Sequence, residues 1–310
     1  MNANSFAIKT DLSRFLQKQP NIFLAKYLPF SVYRRYLSII GFFYYGVNGE
    51  ARRELLKSLR FVLGERLGGT RFRYVLLKTY LGIFDHYYEK MINAHKSLSG
   101  MMKHVNKHIS FTGEEWLDRF RKKNKGCILV TGHFGAIEYI PLFLASNHYR
   151  PTIICRFKSE KLKAALACKS NSVDLELIDA DSPNVIFKAL KAINNGRLLI
   201  TLCDEIHHWR PSRKENAQLF GRLIPKDRTL DILYRRLKVP TCFGIIQREK
   251  RGYNLSIHPL ADGEEKTSLC ETAWHLLEQY VYRSPEQWYQ WPKFHSEFTR
   301  YSMNMECYEN

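Results

Sequence analysis

The sequence predicts an α/β protein built on a mainly parallel sheet covered by helices, and three observations predict it. Short apolar runs of strand length alternate with helical stretches from about residue 126 to residue 203. The runs are rich in branched aliphatics, as buried parallel strands are. Residues able to do chemistry, His133, Arg156 and Asp204, stand at the carboxyl ends of these runs, where ligand sites collect in open α/β sheets. The length of 310 residues suffices for one large α/β domain, or for one with a helical appendage. With 25% charged and 45% apolar residues, the composition is that of a folded globule.

The central stretch is GCILVTGHFGAIEYIPLF, Gly126 to Phe143. Cys127 to Thr131 reads as a buried strand, Gly132 and Gly135 let the backbone turn sharply, and a helical segment with Pro141 near its start follows. His133 therefore leaves a strand end, and Glu138 comes five positions later. A carboxylate on one imidazole nitrogen fixes the tautomer and stabilises the imidazolium, so the other nitrogen becomes a competent general base. On this reading His133 and Glu138 form a proton-abstracting pair. The alternative for a lone histidine at a strand end is a satisfied turn or core residue.

Before this stretch, residues 1 to 21 form a polar lead-in, with Phe15 and Leu16 beside Arg14 and Lys18. From Asn21 to Val47 the chain is rich in Phe, Tyr, Ile and Leu, but Lys26, Pro29, Arg34 and Arg35 interrupt it. The uncharged run from Tyr36 to Asn48 is shorter than the roughly 20 residues of a membrane span. An interfacial helix and a helical hairpin packed on the main domain both fit. Two amphipathic helices, Glu50 to Leu67 and Phe72 to Lys96, flank Gly68-Gly69. Ile109 to Phe111 is a short strand and Glu114 to Lys123 a helix.

After it come a strand at Pro151 to Phe157, a helix at Lys161 to Lys169 and a strand at Leu175 to Ile178. A helix opens at Ser182-Pro183-Asn184 and runs to about Asn194, and Leu198 to Cys203 is a further buried strand. Asp231 to Arg236 is helical, and Pro240 to Gln247 forms a hairpin with Leu255 to His258. Thr267 to Arg283 is the last long helix. The domain reading is a helical membrane-association platform over 1–100, an α/β domain over 101–298 and a tail over 299–310.

The formal net charge of +18 calls for an anionic partner: nucleic acid, an acidic lipid leaflet or an acidic carrier protein. Aromatics at 14% favour an interface of mixed polarity. Seven cysteines, scattered singly, read as reduced thiols of a protein facing the cytosol, and the first twenty residues lack the apolar core of a signal peptide. Cys203-Asp204-Glu205-Ile206-His207-His208 gathers metal-ligand types, yet consecutive residues at a strand exit diverge and no second ligand pair stands at a recognised spacing. No metal is expected.

Gly-His-Phe-Gly-x-x-Glu, residues 132 to 138, resembles the H-x4-D/E signature of the lysophospholipid acyltransferase superfamily. The closest likeness is to the branch holding the lipid A late acyltransferases and the phosphatidylinositol mannoside acyltransferases. That branch commonly reads GHFGNWE, and here Ala136 and Ile137 replace its Asn-Trp. Asp204-Glu205 resembles the family's Asp-Gln, and Phe220-Gly221-Arg222 its P-F-F-G-R block, which helps shape the substrate pocket. Pro285-Glu286-Gln287-Trp288 resembles the C-terminal P-E-Q-W block, whose two tryptophans close over the domain. The likeness runs over about residues 45 to 298 and is densest at these blocks.

The resemblance implies a glycerolipid acyltransferase-like fold and acyl transfer from a thioester to a hydroxyl or amine of a lipid or glycolipid. His133 and Glu138 would be catalytic; Arg156, Lys169, Asp204, Glu205, Phe220, Gly221 and Arg222 would bind substrate. Arg156 matches the arginine of the family's Tyr-Arg-Pro, whereas Lys169 stands near a second family arginine whose bidentate geometry lysine cannot supply. The acyl thioester is a co-substrate and no cofactor is implied. Acyl carrier protein suits a basic surface better than coenzyme A. An anionic inner-membrane surface, met peripherally from the cytoplasmic side, and a lipid acceptor complete the implied partners. A non-catalytic lipid- or carrier-binding relative and a nucleic-acid-binding protein are the rivals, although no recognised nucleic-acid module carries the charge.

Overall fold

The structure is a computed structural model that describes residues 12–122, 126–157, 160–261 and 268–306. Most of the polar lead-in, the start of the expected helix at Thr267 and the end of the tail lie outside the described residues. Six helices come first: α1 (Leu12–Leu16), α2 (Gln19–Tyr27), α3 (Phe30–Val47), α4 (Gly49–Leu63), α5 (Gly69–His95) and α6 (Leu98–His108). The sheet segment then runs β1 (Ile109–Thr112), α7 (Glu114–Lys122), β2 (Cys127–Thr131), α8 (Ile140–Ser146), β3 (Pro151–Cys155), α9 (Glu160–Ser170), β4 (Glu176–Asp179), α10 (Val185–Asn194) and β5 (Leu198–Leu202). Last come β6 (Pro211–Leu219), β7 (Arg222–Asp227), α11 (Thr229–Leu237), β8 (Thr241–Glu249), β9 (Gly252–Ala261), α12 (Leu269–Arg283) and α13 (Trp291–Glu306).

Seven strands form one sheet in the order β1-β9-β8-β2-β5-β3-β4. From β8 to β4 every neighbouring pair is parallel; β9 turns back antiparallel to β8, and β1 runs parallel to β9. The mixed α/β architecture with a mostly parallel sheet is therefore present. β2 lies inside the sheet, and none of its five residues is more than marginally accessible, which is why its sequence is apolar throughout instead of alternating. Helices α8, α9 and α10 pack on the β3–β5 side and α7 and α12 on the β9 side.

The aromatic stretch folds into two helices, the second of which packs on α5. Pro29 separates α2 from α3. Helix α3 turns Tyr33, Leu37, Gly41 and Tyr45 inward against α5, while Ile39, Phe42, Phe43 and Val47 stay exposed. The inward set recurs at four-residue intervals, as one helical face does. No helix among the described residues is long and apolar enough to cross a membrane.

Three elements differ from expectation. Helix α6 was not read from the sequence, and α13 continues well past residue 298 into the stretch taken as a tail. The segment around Phe220-Gly221 is the turn of a separate antiparallel hairpin, β6–β7, with φ of 51° and 75° at its two turn residues. Positive φ at both positions matches the twist of the flanking strands.

Candidate active site

The register of the sheet builds the site. β2 and β5 are adjacent and parallel, with Thr131 paired to Leu202. Each strand ends there, so the residues two positions on, His133 and Asp204, emerge side by side. The His133 ring donates from Nδ1 to Asp204 Oδ1 at 2.7 Å, and its backbone N–H donates to Oδ2 at 2.8 Å. Trp288 Nε1–H donates to the same Oδ2 at 2.8 Å. Burial of this 1% exposed carboxyl would raise its pKa, but the facing His133 ring and the three N–H donors more than offset that and hold it below the usual carboxylate range. With Nδ1 engaged, Nε2 of His133 makes no hydrogen bond to any described residue, and His133 lines a cavity of ≈ 700 Å³.

The position expected for Glu138, against His133 Nδ1, is thus occupied by Asp204. Gly135 adopts φ +58°, and a 3-10 turn at Ile137–Tyr139 follows, so the chain swings residue 138 toward α5. There Glu138 Oε1 lies 3.9 Å from His86 Nε2, and the Glu138 carbonyl accepts from Asn93 Nδ2 at 2.9 Å. Glu138 still lines the same cavity as His133. The sequence gives the position of Asp204 at a strand exit, but which strands are neighbours is a property of the assembled sheet.

A C-terminal segment locks the His133 loop. Phe134 and Trp288 form an isolated antiparallel bridge; Gly135 N–H donates to the Gln287 carbonyl at 2.9 Å and Tyr289 N–H to the His133 carbonyl at 3.2 Å. The Gln290 amide lies 2.6 Å from His133 Nδ1, and the Tyr289 ring meets the imidazole edge-on. A Cβ on Gly135 would fall 1.7 Å from the Ile246 carbonyl oxygen, so only glycine fits this approach. Beneath the loop, buried Arg248 donates from Nε and Nη2 to the two Glu89 carboxylate oxygens at 2.7 Å each, and from Nη2 to the Gly135 carbonyl at 2.6 Å. Burial opposes the charge on Arg248, yet the Glu89 carboxylate outweighs it and holds the guanidinium pKa above its ordinary value.

The cavity joins polar and apolar walls. Arg156, Lys169 and Glu205 line it, as do Lys90, His86, Tyr289 and Lys293, which sequence reasoning passed over. Arg156 is half-exposed; it donates from Nε to Asp181 Oδ1 at 2.9 Å and also meets His208 Nε2. The Lys169 ammonium donates to the Asn93 carbonyl, and burial lowers its pKa to about 8. The apolar walls come from Ile153, Leu166, Leu175, Leu177 and Ile200. Phe220, Gly221 and Arg222 do not line this cavity. Phe220 is buried among Trp274, Trp288, Trp291 and Phe294, and Arg222 stacks 4.1 Å over the Phe61 ring, so this block supports the C-terminal segment from behind.

Cys203, Asp204 and His208 do not converge: Cys203 is buried, Asp204 faces His133, and His208 meets Arg156. Among the described residues no group of three or more His, Cys, Asp or Glu side chains is placed to hold a metal ion. No individually curated protein matches the chain. The family model described as bacterial lipid A biosynthesis acyltransferase matches residues 21–298, which takes in helices α3 to α6, the His133 loop and the C-terminal segment that locks it. The chain belongs to this family of acyltransferases.

Proposed function

We propose that the protein moves a fatty acyl group from a thioester donor, acyl carrier protein or coenzyme A, to a hydroxyl or amine of a lipid or glycolipid acceptor. The observation that carries this reading is a histidine backed on Nδ1 by a buried carboxylate, opening on a cavity with both charged and hydrocarbon-like walls. Nε2 of His133 takes the acceptor proton as the oxygen attacks the thioester carbonyl. The carbon–oxygen bond forms, the carbon–sulfur bond breaks, and the proton passes to the departing thiolate. Asp204 keeps the ring in its productive tautomer and offsets the charge it gains.

Arg156, Lys90 and Lys293 supply positive charge for phosphate on the donor or acceptor, and the branched side chains of β3, β4 and β5 accommodate the acyl chain. Glu138 acts in the same cavity through its contact with His86 rather than through His133. The exposed apolar residues of α3, with a net charge of +18, suit peripheral binding to an anionic inner-membrane surface from the cytoplasmic face. Incubating the purified protein with acyl carrier protein thioesters, or with acyl-coenzyme A, and extracted lipids, followed by mass spectrometry, tests the proposal. A new acylated product that His133→Ala does not make is the expected result. Near-native transfer by His133→Ala would overturn it.

A further inference from the structure

A second cavity, of ≈ 350 Å³, opens where the end of α4, the start of α5 and the end of α12 meet, and it has no lining residue in common with the first. We propose that it binds the phosphate ester of a membrane lipid headgroup. This does not depend on the acyl-transfer reading.

Four cations line the cavity, Arg66, Arg71, Lys78 and Arg283, against one carboxylate, Glu286. Arg34, Arg150, Arg197 and Arg248 each hold a carboxylate within 3 Å, whereas among the described residues Arg66, Arg71, Lys78 and Arg283 have none within salt-bridge distance. Tyrosines orient two of them: the Arg66 guanidinium lies 4.1 Å over the Tyr282 ring and the Lys78 ammonium 4.8 Å over the Tyr74 ring. A concavity with an excess of positive charge and guanidinium forks is suited to a phosphate oxygen cluster.

The surroundings decide between a soluble anion and an amphiphile. Tyr74, Leu77 and Leu81 share one face of α5 with Arg71 and Lys78 and are 57%, 55% and 45% exposed. Helix α3 packs on α5 and leaves Phe42 and Phe43 exposed at 72% and 64%. A phosphate in the cavity would therefore lie beside apolar side chains able to enter the acyl boundary, as at a bilayer interface.

The test compares binding to phosphatidylcholine vesicles with and without phosphatidylglycerol, for the full chain, for Arg71→Gln/Lys78→Gln and for Arg235→Gln/Arg236→Gln. The last pair is also exposed but sits on α11, which packs near the start of α12, away from the cavity. The wild type should prefer phosphatidylglycerol vesicles, the first double variant should lose on the order of 30-fold in affinity, and the second only a few-fold. Circular dichroism of both variants should match the wild type. If soluble glycerol 1-phosphate competes with the vesicles, the phosphate ester alone fills the cavity; if it does not, while the first variant still loses binding, the lipid chains contribute. Equal losses in the two variants, or no preference for the anionic vesicles, would overturn the proposal.

Discussion

Asp204 Oδ1 stands 2.7 Å from His133 Nδ1 because the two residues follow a paired position, Thr131 and Leu202, by the same two steps on neighbouring parallel strands. The contact is thus set by the register of the sheet, and the loop beyond is held by residues 287–289. An imidazole held this way is oriented by the protein itself, as the general base proposed above requires.

Asp204→Asn keeps the shape of the site but cannot stabilise an imidazolium, so transfer should fall on the order of 10³-fold or more in steady-state assays with an acyl thioester. Glu138→Gln should cost far less. A Glu138→Gln defect larger than that of Asp204→Asn would return the orienting role to Glu138. The Asp204 carboxyl also carries a pH signature. Its pKa is lowered in the folded state, so its stabilisation is present above the ordinary carboxylate range and is lost as pH falls through the depressed value; acid unfolding curves of Asp204→Asn should lack that part of the slope.

Trp288→Phe retains most of the buried ring and removes one N–H donor from Asp204. A hydrogen bond to a charged group is worth about 1.5–3 kcal/mol, which is the expected loss in denaturant unfolding. Transfer should decline alongside it, since Asp204 then holds His133 with one donor fewer.

Gly135→Ala forces a Cβ against the Ile246 carbonyl at a backbone angle that disfavours it. The expected cost is on the order of 3 kcal/mol or more in chemical denaturation, with activity lost even where the variant stays folded. An alanine variant with wild-type stability and rate would mean the loop can relax away from β8.

Lys169 has its folded-state pKa lowered to about 8 from an ordinary value of 10.5, chiefly by burial. The unfolded chain therefore binds more protons between these values, and stability should rise with pH across that window. Lys169→Met should be more stable than wild type at neutral pH, an advantage that shrinks as pH climbs from about 8 to the ordinary lysine value of 10.5 and levels off above it. Thermal melts of both proteins from neutral to alkaline pH measure it.

Much of this was legible in the chain. The apolar five-residue runs at Cys127 and Leu198, the glycines around His133 and the amphipathic helices each carry a local periodicity that survives folding. The pairing of His133 with Asp204 was not legible, because strand order depends on contacts seventy residues apart. β6 was missed because its Ser-Arg-Lys-Glu-Asn run lacks apolar alternation, and α6 because Gly100 and its charged residues blur the helical pattern. Phe220 resembled a pocket residue by its neighbours in sequence, yet a buried aromatic ring beside five others is a core residue whatever motif it belongs to.

The strap formed by residues 285–291 has a consequence for how the protein comes into being. A growing chain would hold His133 and Asp204 long before Gln287, Trp288 and Tyr289 emerge from the ribosome. Until they do, Asp204 lacks its indole donor, and the His133 carbonyl and Gly135 N–H lack the partners they have in the finished protein. The hydrogen bonding around His133 and Asp204 is therefore complete only once residues 287–289 have been made.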